Sequence, residues 1–287
     1  MSLARVFIGL PVHNGEAFIQ TAIESVEKQT FRDWKLLVSD NASTDDTQRI
    51  CQDAVARDDR IAYRRFSDNQ GATVNYSTLL ASAVGEYFVW IASDDIWKPE
   101  FLETCVNLLD RDQEKGMAFT GFVNVDTYGQ TIRTYPDFSR FSRGSRFGDV
   151  GRFLLDPEIM GKANLIYSVY RLETARKAWE ASPLSDHWGA DVCFVLAALS
   201  RTGLATNTRV LFRKRLVRLG DRPEHTRKIV YRYPRNHLFP ILQSCTYVQD
   251  SSRATAGTRY RPLAVLLTLL RVPRAALNSI TNRLMSP

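Results

Sequence analysis

Two adjacent carboxylates, Asp94-Asp95, follow Ser93 directly behind the apolar run Tyr87 to Ala92 (YFVWIA). Like charges side by side repel, so the pair favours a cation between or beside them. Hard carboxylate oxygens suit Mg²⁺ or Mn²⁺ held jointly with substrate phosphates. The competing reading is a plain cap on the helix that begins near Lys98. Two further polar clusters stand in the same relation to apolar runs: Pro11-Val12-His13-Asn14-Gly15-Glu16 and Ser39-Asp40-Asn41-Ala42-Ser43-Thr44-Asp45. No GxGxxG follows the first run and no Walker A motif is present, which disfavours a dinucleotide site. The phosphates of a bound nucleotide would need a metal or side chains instead of a glycine cradle.

The elements that must position these clusters alternate in type. Strands are expected over Arg5 to Val12, Trp34 to Ser39, Ile61 to Phe66, Tyr87 to Ala92 and Met117 to Val123. Helical spacing marks Ala17 to Gln29, Ala72 to Ala83 and Pro99 to about Asp112, with a further helix after Ser43-Thr44 that these residues cap and Asp45 and Asp46 open. Such alternation predicts a mostly parallel α/β sheet flanked by helices. Ligands bind such sheets at the carboxyl ends of the strands, where all three clusters fall. Beyond residue 125 the regularity drops. Ser139 to Gly151 reads as a Gly/Ser/Arg-rich loop, Asp191 to Ser200 as a helix, and Arg209 to Leu216 as a strand.

The order Pro11-x-His13-Asn14, Ser39 to Asp45, Asn69-Gln70-Gly71, Asn75, Gly85-Glu86-Tyr87 and Ser93-Asp94-Asp95 resembles the inverting family-2 glycosyltransferases of the GT-A fold. The resemblance covers roughly residues 4–125 and continues more weakly through Tyr170-Arg171 to about residue 215. It implies a Rossmann-like GT-A domain over 1–215, with a nucleotide-binding part (4–125) and an acceptor part (126–215). Pro11, His13 and Asn14 would line the nucleotide pocket, with Glu16 near the ribose. Asp40 would accept a hydrogen bond from the base, which favours the N3–H of uracil or thymine. Asn69 and Gly71 would form the third nucleotide loop. Asp94 would hold the metal, Mn²⁺ or Mg²⁺, and Asp95 would face the sugar or the metal's water shell. Taken alone, Asn41 to Thr44 also reads as a turn with a cap, and Asn69-Gln70-Gly71 as a loop.

Two positions depart from the family pattern. Ala92 stands where an aspartate is frequent, and Ala190-Asp191 where Glu-Asp is usual. Asp191 is taken as the general base that removes a proton from an acceptor hydroxyl during a single inverting displacement. The alternative is a carboxylate that only complements the dipole of the helix it opens. His187-Trp188 would stack an acceptor sugar, although a Trp near a helix start is as often core. The family often has a histidine after the strand that follows the base helix. Here that stretch is Arg213-Lys214-Arg215-Leu216-Val217-Arg218, and whether an arginine or nearby His225 makes the contact is open.

The 287-residue chain carries 38 Lys+Arg and 31 Asp+Glu, a net +7, with 44% hydrophobic residues and four scattered cysteines. Such a composition argues against disorder, a disulfide scaffold or a zinc finger, and predicts a reduced, cytoplasmic setting. The charge is unevenly placed. Residues 1–200 hold 21 basic and 28 acidic side chains, residues 201–287 hold 17 and 3. Helices expected over Pro223 to Val248 and Arg259 to Leu284 would make 216–287 a basic helical C-terminal extension, apolar around Leu263, Leu266, Leu267 and Leu270. It could dock on its own body, pair with a second copy as a homodimer, or lie on the inner face of a membrane. Membrane contact is expected ahead of dimerisation, and no nucleic-acid motif is present. The expected activity is transfer of a hexose or N-acetylhexosamine from a nucleotide-sugar donor, UDP- or dTDP-linked, to a glycan or lipid-linked acceptor. The alternatives are a catalytically silent nucleotide-sugar-binding module and a sugar nucleotidyltransferase.

Overall fold

Seven consecutive buried residues, Val6–Val12, form β1. A strand covered on both faces needs no polar alternation, and this one pairs in parallel on both sides. Val6 to Val12 lie opposite Trp34 to Asp40 of β2 (Trp34–Asp40), and Val6 to Gly9 opposite Tyr87 to Trp90 of β4 (Tyr87–Trp90). Strand β3 (Ile61–Arg65) adds in parallel outside β2. Helices α1 (Ile19–Glu27), α2 (Thr47–Arg57) and α3 (Ala72–Ser82) connect these strands. The parallel direction brings the ends of β1, β2 and β4 to one edge. The computed structural model describes residues 3–156, 160–185, 189–216 and 248–269.

Beyond β4 the sheet continues with β8 (Val169–Arg171), β6 (Lys115–Val125), β9 (Gly203–Arg215) and β5 (Ile96–Trp97), and β7 (Thr131–Thr134) pairs with β6. Its second half is mixed. Strand β8 lies antiparallel between β4 and β6, while β6 and β9 run parallel. The two-residue β5 pairs antiparallel with β9, Ile96 opposite Arg213 and Trp97 opposite Phe212. That register brings the end of β9 beside the turn that carries Asp94 and Asp95. The exposed β7 returns along β6. Helix α4 (Phe101–Arg111) leads into β6, and α6 (Leu172–Ala181) and α7 (Ala190–Leu199) precede β9.

Several expectations are corrected. Residues 139–151 are not a loop: a 3₁₀ turn, Phe138–Phe141, is followed by α5 (Arg146–Leu155), capped by Ser145, whose hydroxyl accepts from Gly148 N at 3.2 Å. Few residues there are apolar, but Val150, Phe153 and Leu154 recur at helical spacing and are buried. Helix α2 begins at Thr47 with Asp46 at its N-cap, so Ser43, Thr44 and Asp45 belong to the loop before it. Strand β9 starts six residues earlier than expected, at Gly203. The three-residue β8 is too short for a periodic signal.

Of the extension, the helix expected over Pro223 to Val248 lies outside the described residues except for Val248, as does the end of the helix expected to reach Leu284. The described part, α8 (Arg261–Leu269), packs on the body. Tyr260, Ala264 and Thr268 are buried, the Tyr260 ring lies 6.2 Å from that of Phe147 on α5, and Leu266 and Leu269 are exposed. Among the described residues no helix is long and apolar enough to cross a membrane.

Candidate active site

The three polar loops at the carboxyl edge are laced to one another. Asp40 ends β2 wholly buried: Ser43 N and Ser43 Oγ donate to its Oδ1 at 2.8 and 2.5 Å, Tyr63 OH donates to Oδ2 at 2.6 Å, and Arg65 Nε lies 3.5 Å away. These bonds hold a loop in which Ala42 takes the left-handed conformation (φ 59°), which costs an L-residue roughly 1–2 kcal/mol. Asn14, also left-handed (φ 53°), donates its N–H to Ser43 Oγ at 2.8 Å, and its Oδ1 accepts from Thr44 N at 2.7 Å. Gly15 N donates to Thr47 Oγ1 at 2.8 Å, Glu16 N to Asp45 Oδ2 at 3.1 Å, and Asp46 N to Glu16 Oε2 at 3.0 Å. A Cβ on Gly15 would come within 2.5 Å of Val12 Cγ2, so the turn needs a glycine.

The third loop joins through amides. Gln70 N donates to Asn41 Oδ1 and Asn41 Nδ2 to Asn69 Oδ1, both at 2.8 Å, and Asn69 Nδ2 lies 3.2 Å from His13 Nε2. Gly71 (φ 83°) turns the chain into α3. Asn75 on α3 donates to Ser39 O at 2.9 Å. Pro11 lies within β1 opposite Ser39. The structure therefore brings Pro11, His13, Asn14, Glu16, Asp40, Asn69 and Gly71 into one rim. Asp40, expected to accept a hydrogen bond from the base, stands at this rim as a buried carboxylate held by Ser43 and Tyr63. Asn41, buried at the junction of the second and third loops, was legible only as part of a motif.

The carboxylate pair sits beside the end of β9. Asp94 is half-buried and Asp95 wholly buried. Arg215 N donates to Asp95 Oδ1 at 3.1 Å, while Asp95 Oδ2 has no hydrogen-bond partner and lies 3.6 Å from Lys214 Nζ. Burial and then the neighbouring Asp94 charge work against the Lys214 ammonium and leave the Asp95 carboxyl pushed up to about 7. Burial would lower the Lys214 ammonium, but Asp95 and Asp94 outweigh it and its pKa is raised. Lys214 Nζ also lies 4.7 Å from the centre of the Tyr167 ring. The Arg215 guanidinium is spent elsewhere, donating to Asp94 O at 3.1 Å and Thr127 O at 2.7 Å over the Phe18 ring. Arg213 donates to Gly129 O. The sequence left the metal or phosphate contact from this stretch open between an arginine and His225, which lies outside the described residues; the basic side chain beside the Asp95 carboxylate is Lys214.

Among the described residues no group of three or more His, Cys, Asp or Glu could hold a metal. The pair nevertheless fits a cation of the kind held by one or two carboxylates and completed by substrate phosphates, since Asp95 Oδ2 is a buried hard oxygen without a hydrogen-bond partner. Ser93 is close to the first loop: its Oγ would lie 3.5 Å from a Cβ on Gly15.

A cleft of about 470 Å³ opens beside this cluster, lined by Tyr76, Asn164, Tyr167, Ser185, Asp191 and Lys214 among others. Asp191 lies in the first turn of α7, after the left-handed Gly189 (φ 84°), and its Oδ1 accepts from Val192 N at 2.8 Å. The rest of α7 is apolar and buried all round, which anchors the carboxylate against the body. His187 and Trp188 lie outside the described residues; Ser185 and Gly189 on either side line the cleft. Tyr76 and Tyr167 carried no signal in the sequence. Burial raises both phenols, so they stay neutral.

A mostly parallel α/β sheet with laced loops at its carboxyl edge, an aspartate pair behind one strand and Asp191 on a neighbouring cleft make up this fold and site. The family model for glycosyl transferase family 2 matches residues 7–166, more than half of the chain, and the chain belongs to that family. It is 28% identical over 166 residues to an uncharacterized glycosyltransferase of Rickettsia prowazekii (strain Madrid E), covering 57% of this chain and 50% of the relative. It is 31% identical over 112 residues to the putative teichuronic acid biosynthesis glycosyltransferase TuaG of Bacillus subtilis (strain 168), covering 39% of this chain and 44% of the relative. The chain thus spans half the length, or less, of these curated relatives. The fold is similar to that of S. aureus TarS 1-349 in complex with UDP-GlcNAc (TM-score 0.63, 18% identity, 96% of this chain and 79% of that one). It is also similar to the mannosyltransferase PcManGT from Pyrobaculum calidifontis in complex with GDP-Man and Mn²⁺ (TM-score 0.58, 15% identity, 99% and 76%). The fold is GT-A, as the sequence resemblance implied.

Proposed function

We propose that this chain transfers a sugar, a hexose or N-acetylhexosamine, from a nucleoside-diphosphate donor to a hydroxyl of a glycan or lipid-linked acceptor, with inversion. The observation that carries the reading is one cleft on which Asp191 and the Lys214 that pairs with Asp95 both open. Asp191 takes the acceptor's proton as that oxygen attacks the anomeric carbon, and the bond to the diphosphate breaks on the opposite face. Asp94, with Asp95 beside it, is the place for Mn²⁺ or Mg²⁺, which when bound neutralises charge on the diphosphate. Pro11, His13, Asn14, Glu16, Asp40, Asn69 and Gly71 form the nucleotide rim, with Asp40 accepting from the base, and Asn41 ties its second and third loops together.

UDP or dTDP is the proposed nucleotide, and the likeness to TuaG supports a bacterial envelope polysaccharide as the setting. The exposed Leu266 and Leu269 on α8, with the basic residues around them, support contact with an acceptor-bearing membrane face or with a second copy. His187 and Trp188 are proposed for the acceptor side. A panel of UDP-, dTDP- and GDP-sugars with Mn²⁺ tests the reading, because a ligand of the folded state raises the melting temperature. A shift with one donor class, and release of its nucleoside diphosphate on adding acceptor, is the expected result. No shift with any donor would sink it.

A further inference from the structure

A second cavity continues the line of the first. It has a volume of about 440 Å³ and lies between α3 and α6, with Ser77, Thr78 and Ala81 on one wall and Arg176, Trp179 and Glu180 on the other. Thr73 of α3 lines the cleft that holds Asp191, and Ser77 and Ala81 follow it at steps of four residues. Residues so spaced are neighbours on one helix face, so this row leads from one cavity into the other. The opposite wall does the same: Glu180, in the last turn of α6, lines the second cavity, and Leu184 just beyond that helix lines the cleft. The ring of Trp90 joins the two, 5.7 Å from that of Tyr76 in the cleft and 6.1 Å from that of Trp179.

The lining of this groove suits sugar rings. The indole nitrogens of Trp34, Trp90 and Trp97 are buried without a hydrogen-bond partner, as in tryptophans held by core packing. Trp179 differs: it is half-buried, packs on Trp90 and, at 6.3 Å, on Phe194, and lines the groove. A tryptophan so fixed offers an apolar body with a polar tip at little cost in conformational entropy. On the α3 wall, the hydroxyls of Ser77 and Thr78 donate to Val74 O at 2.9 and 2.8 Å, and that of Ser82 to Thr78 O at 2.8 Å. Their protons are used within the helix, and their oxygens keep lone pairs that can accept from a ligand. Arg176 donates to Ala83 O at 2.8 Å through one nitrogen, and a guanidinium has five N–H donors. An apolar ring beside hydroxyl acceptors and guanidinium donors matches a hexose, apolar on its faces and hydroxylated around its edge. We propose that this groove is a distal acceptor subsite, binding sugar units of a chain whose reacting end lies at Asp191, so that the acceptor is an oligosaccharide or a longer glycan. The inference rests on the glycosyl-transfer reading above and names the acceptor class which that reading leaves open. No bond changes in the groove, so its contacts are equal before and during the displacement and lower KM without raising kcat.

A distal subsite predicts an advantage that grows with acceptor length and depends on Trp179. Cellotetraose, chitotetraose and a hyaluronan tetrasaccharide, each beside its own monosaccharides, are offered as acceptors with UDP-, dTDP- and GDP-sugars and Mn²⁺, and release of the nucleoside diphosphate is followed. In wild type one tetrasaccharide should show a KM at least about tenfold below that of its monosaccharide. Trp179→Ala should raise KM for that tetrasaccharide about tenfold, with kcat and the monosaccharide's KM within about twofold, and Trp179→Phe should keep most of the advantage. Should the alanine variant not fold, Ala81→Arg, at an exposed position of α3, obstructs the groove and should give the same split. An equal loss for monosaccharide and tetrasaccharide, an unchanged KM in both variants, or no length advantage in a wild type that binds donor overturns the subsite. A wild type whose melting temperature no donor shifts overturns the transfer reading itself, which is a different result.

Discussion

Asp191 and Asp94 are both aspartates at the ends of elements, and their surroundings assign them different work. Asp191 opens a wholly apolar helix and faces a cleft, where a base is useful only if its position is fixed. Asp191→Asn keeps the shape and removes the basic oxygen, so turnover should fall by roughly 10²–10⁴-fold while nucleotide affinity stays within about twofold. Product formation and nucleotide titration on the same preparation check this, and retained turnover removes Asp191 from the mechanism. Asp94 has Asp95 beside it, and among the described residues no third His, Cys, Asp or Glu completes the set. A cation held so sparsely depends on the substrate's phosphates. Mn²⁺ titrated alone should bind weakly, and bind tightly only with a nucleoside diphosphate present. Asp94→Asn should abolish that difference, as read by calorimetry.

At the scale of elements, the site depends on how three loops are held. Ala42 occupies a left-handed position that glycine adopts freely, and the Asp40 carboxylate keeps it there. Ala42→Gly should leave stability within about 1 kcal/mol of wild type, whereas Ala42→Val should lower it by more than about 1 kcal/mol. Denaturant unfolding checks both, and nucleotide affinity should follow the same order. A different cluster ties the opposite ends of the strands. Arg5 donates to Glu86 at 2.7 Å and to Asp110 at 2.8 Å, and Tyr87 OH donates to Asp110 at 2.6 Å. The Arg5 hydrogen bond first, helped by Tyr87, holds Asp110 below the usual carboxylate range despite some burial. The folded form thus binds that proton less readily than the unfolded chain. Its stabilisation is complete above the ordinary carboxylate pKa, about 4, and is lost as pH falls through the folded value. Melting curves between pH 7 and pH 3 should fall less steeply for Asp110→Asn than for wild type.

At the scale of the whole molecule, the body up to residue 215 and the described part of the C-terminal extension are in contact. Arg201 donates to Ala254 O at 2.7 Å and to Ala256 O at 3.0 Å, the Tyr260 ring just before α8 lies 6.2 Å from that of Phe147 on α5, and Leu263 Cδ2 of α8 would lie 3.8 Å from a Cβ on Gly151 of α5. Docking on the body therefore accounts for one face of α8, and Leu266 and Leu269 mark the other. Replacing both with Glu should reduce flotation with anionic liposomes severalfold and leave the oligomeric state unchanged if that face meets lipid. Conversion of a dimer to a monomer, with flotation unchanged, would place a second copy there instead.

Much of the carboxyl edge was legible in the residues themselves. The near-continuous apolar run of β1, the alternation of strands with helices, and the polar clusters behind three strands follow from local pattern and place one edge as the site. Local pattern could not show β8, which has three residues, or α5, whose few apolar side chains are spaced among glycines and arginines. Nor could it separate Asp40, turned inward onto Ser43 and Tyr63, from Asp191, which faces a cleft, because the difference lies in what surrounds each carboxylate. The sequence by itself determined which residue types stand at the sheet edge. Only the tertiary structure decided that Lys214 meets Asp95, because 118 intervening residues and the pairing of β5 with β9 set that distance.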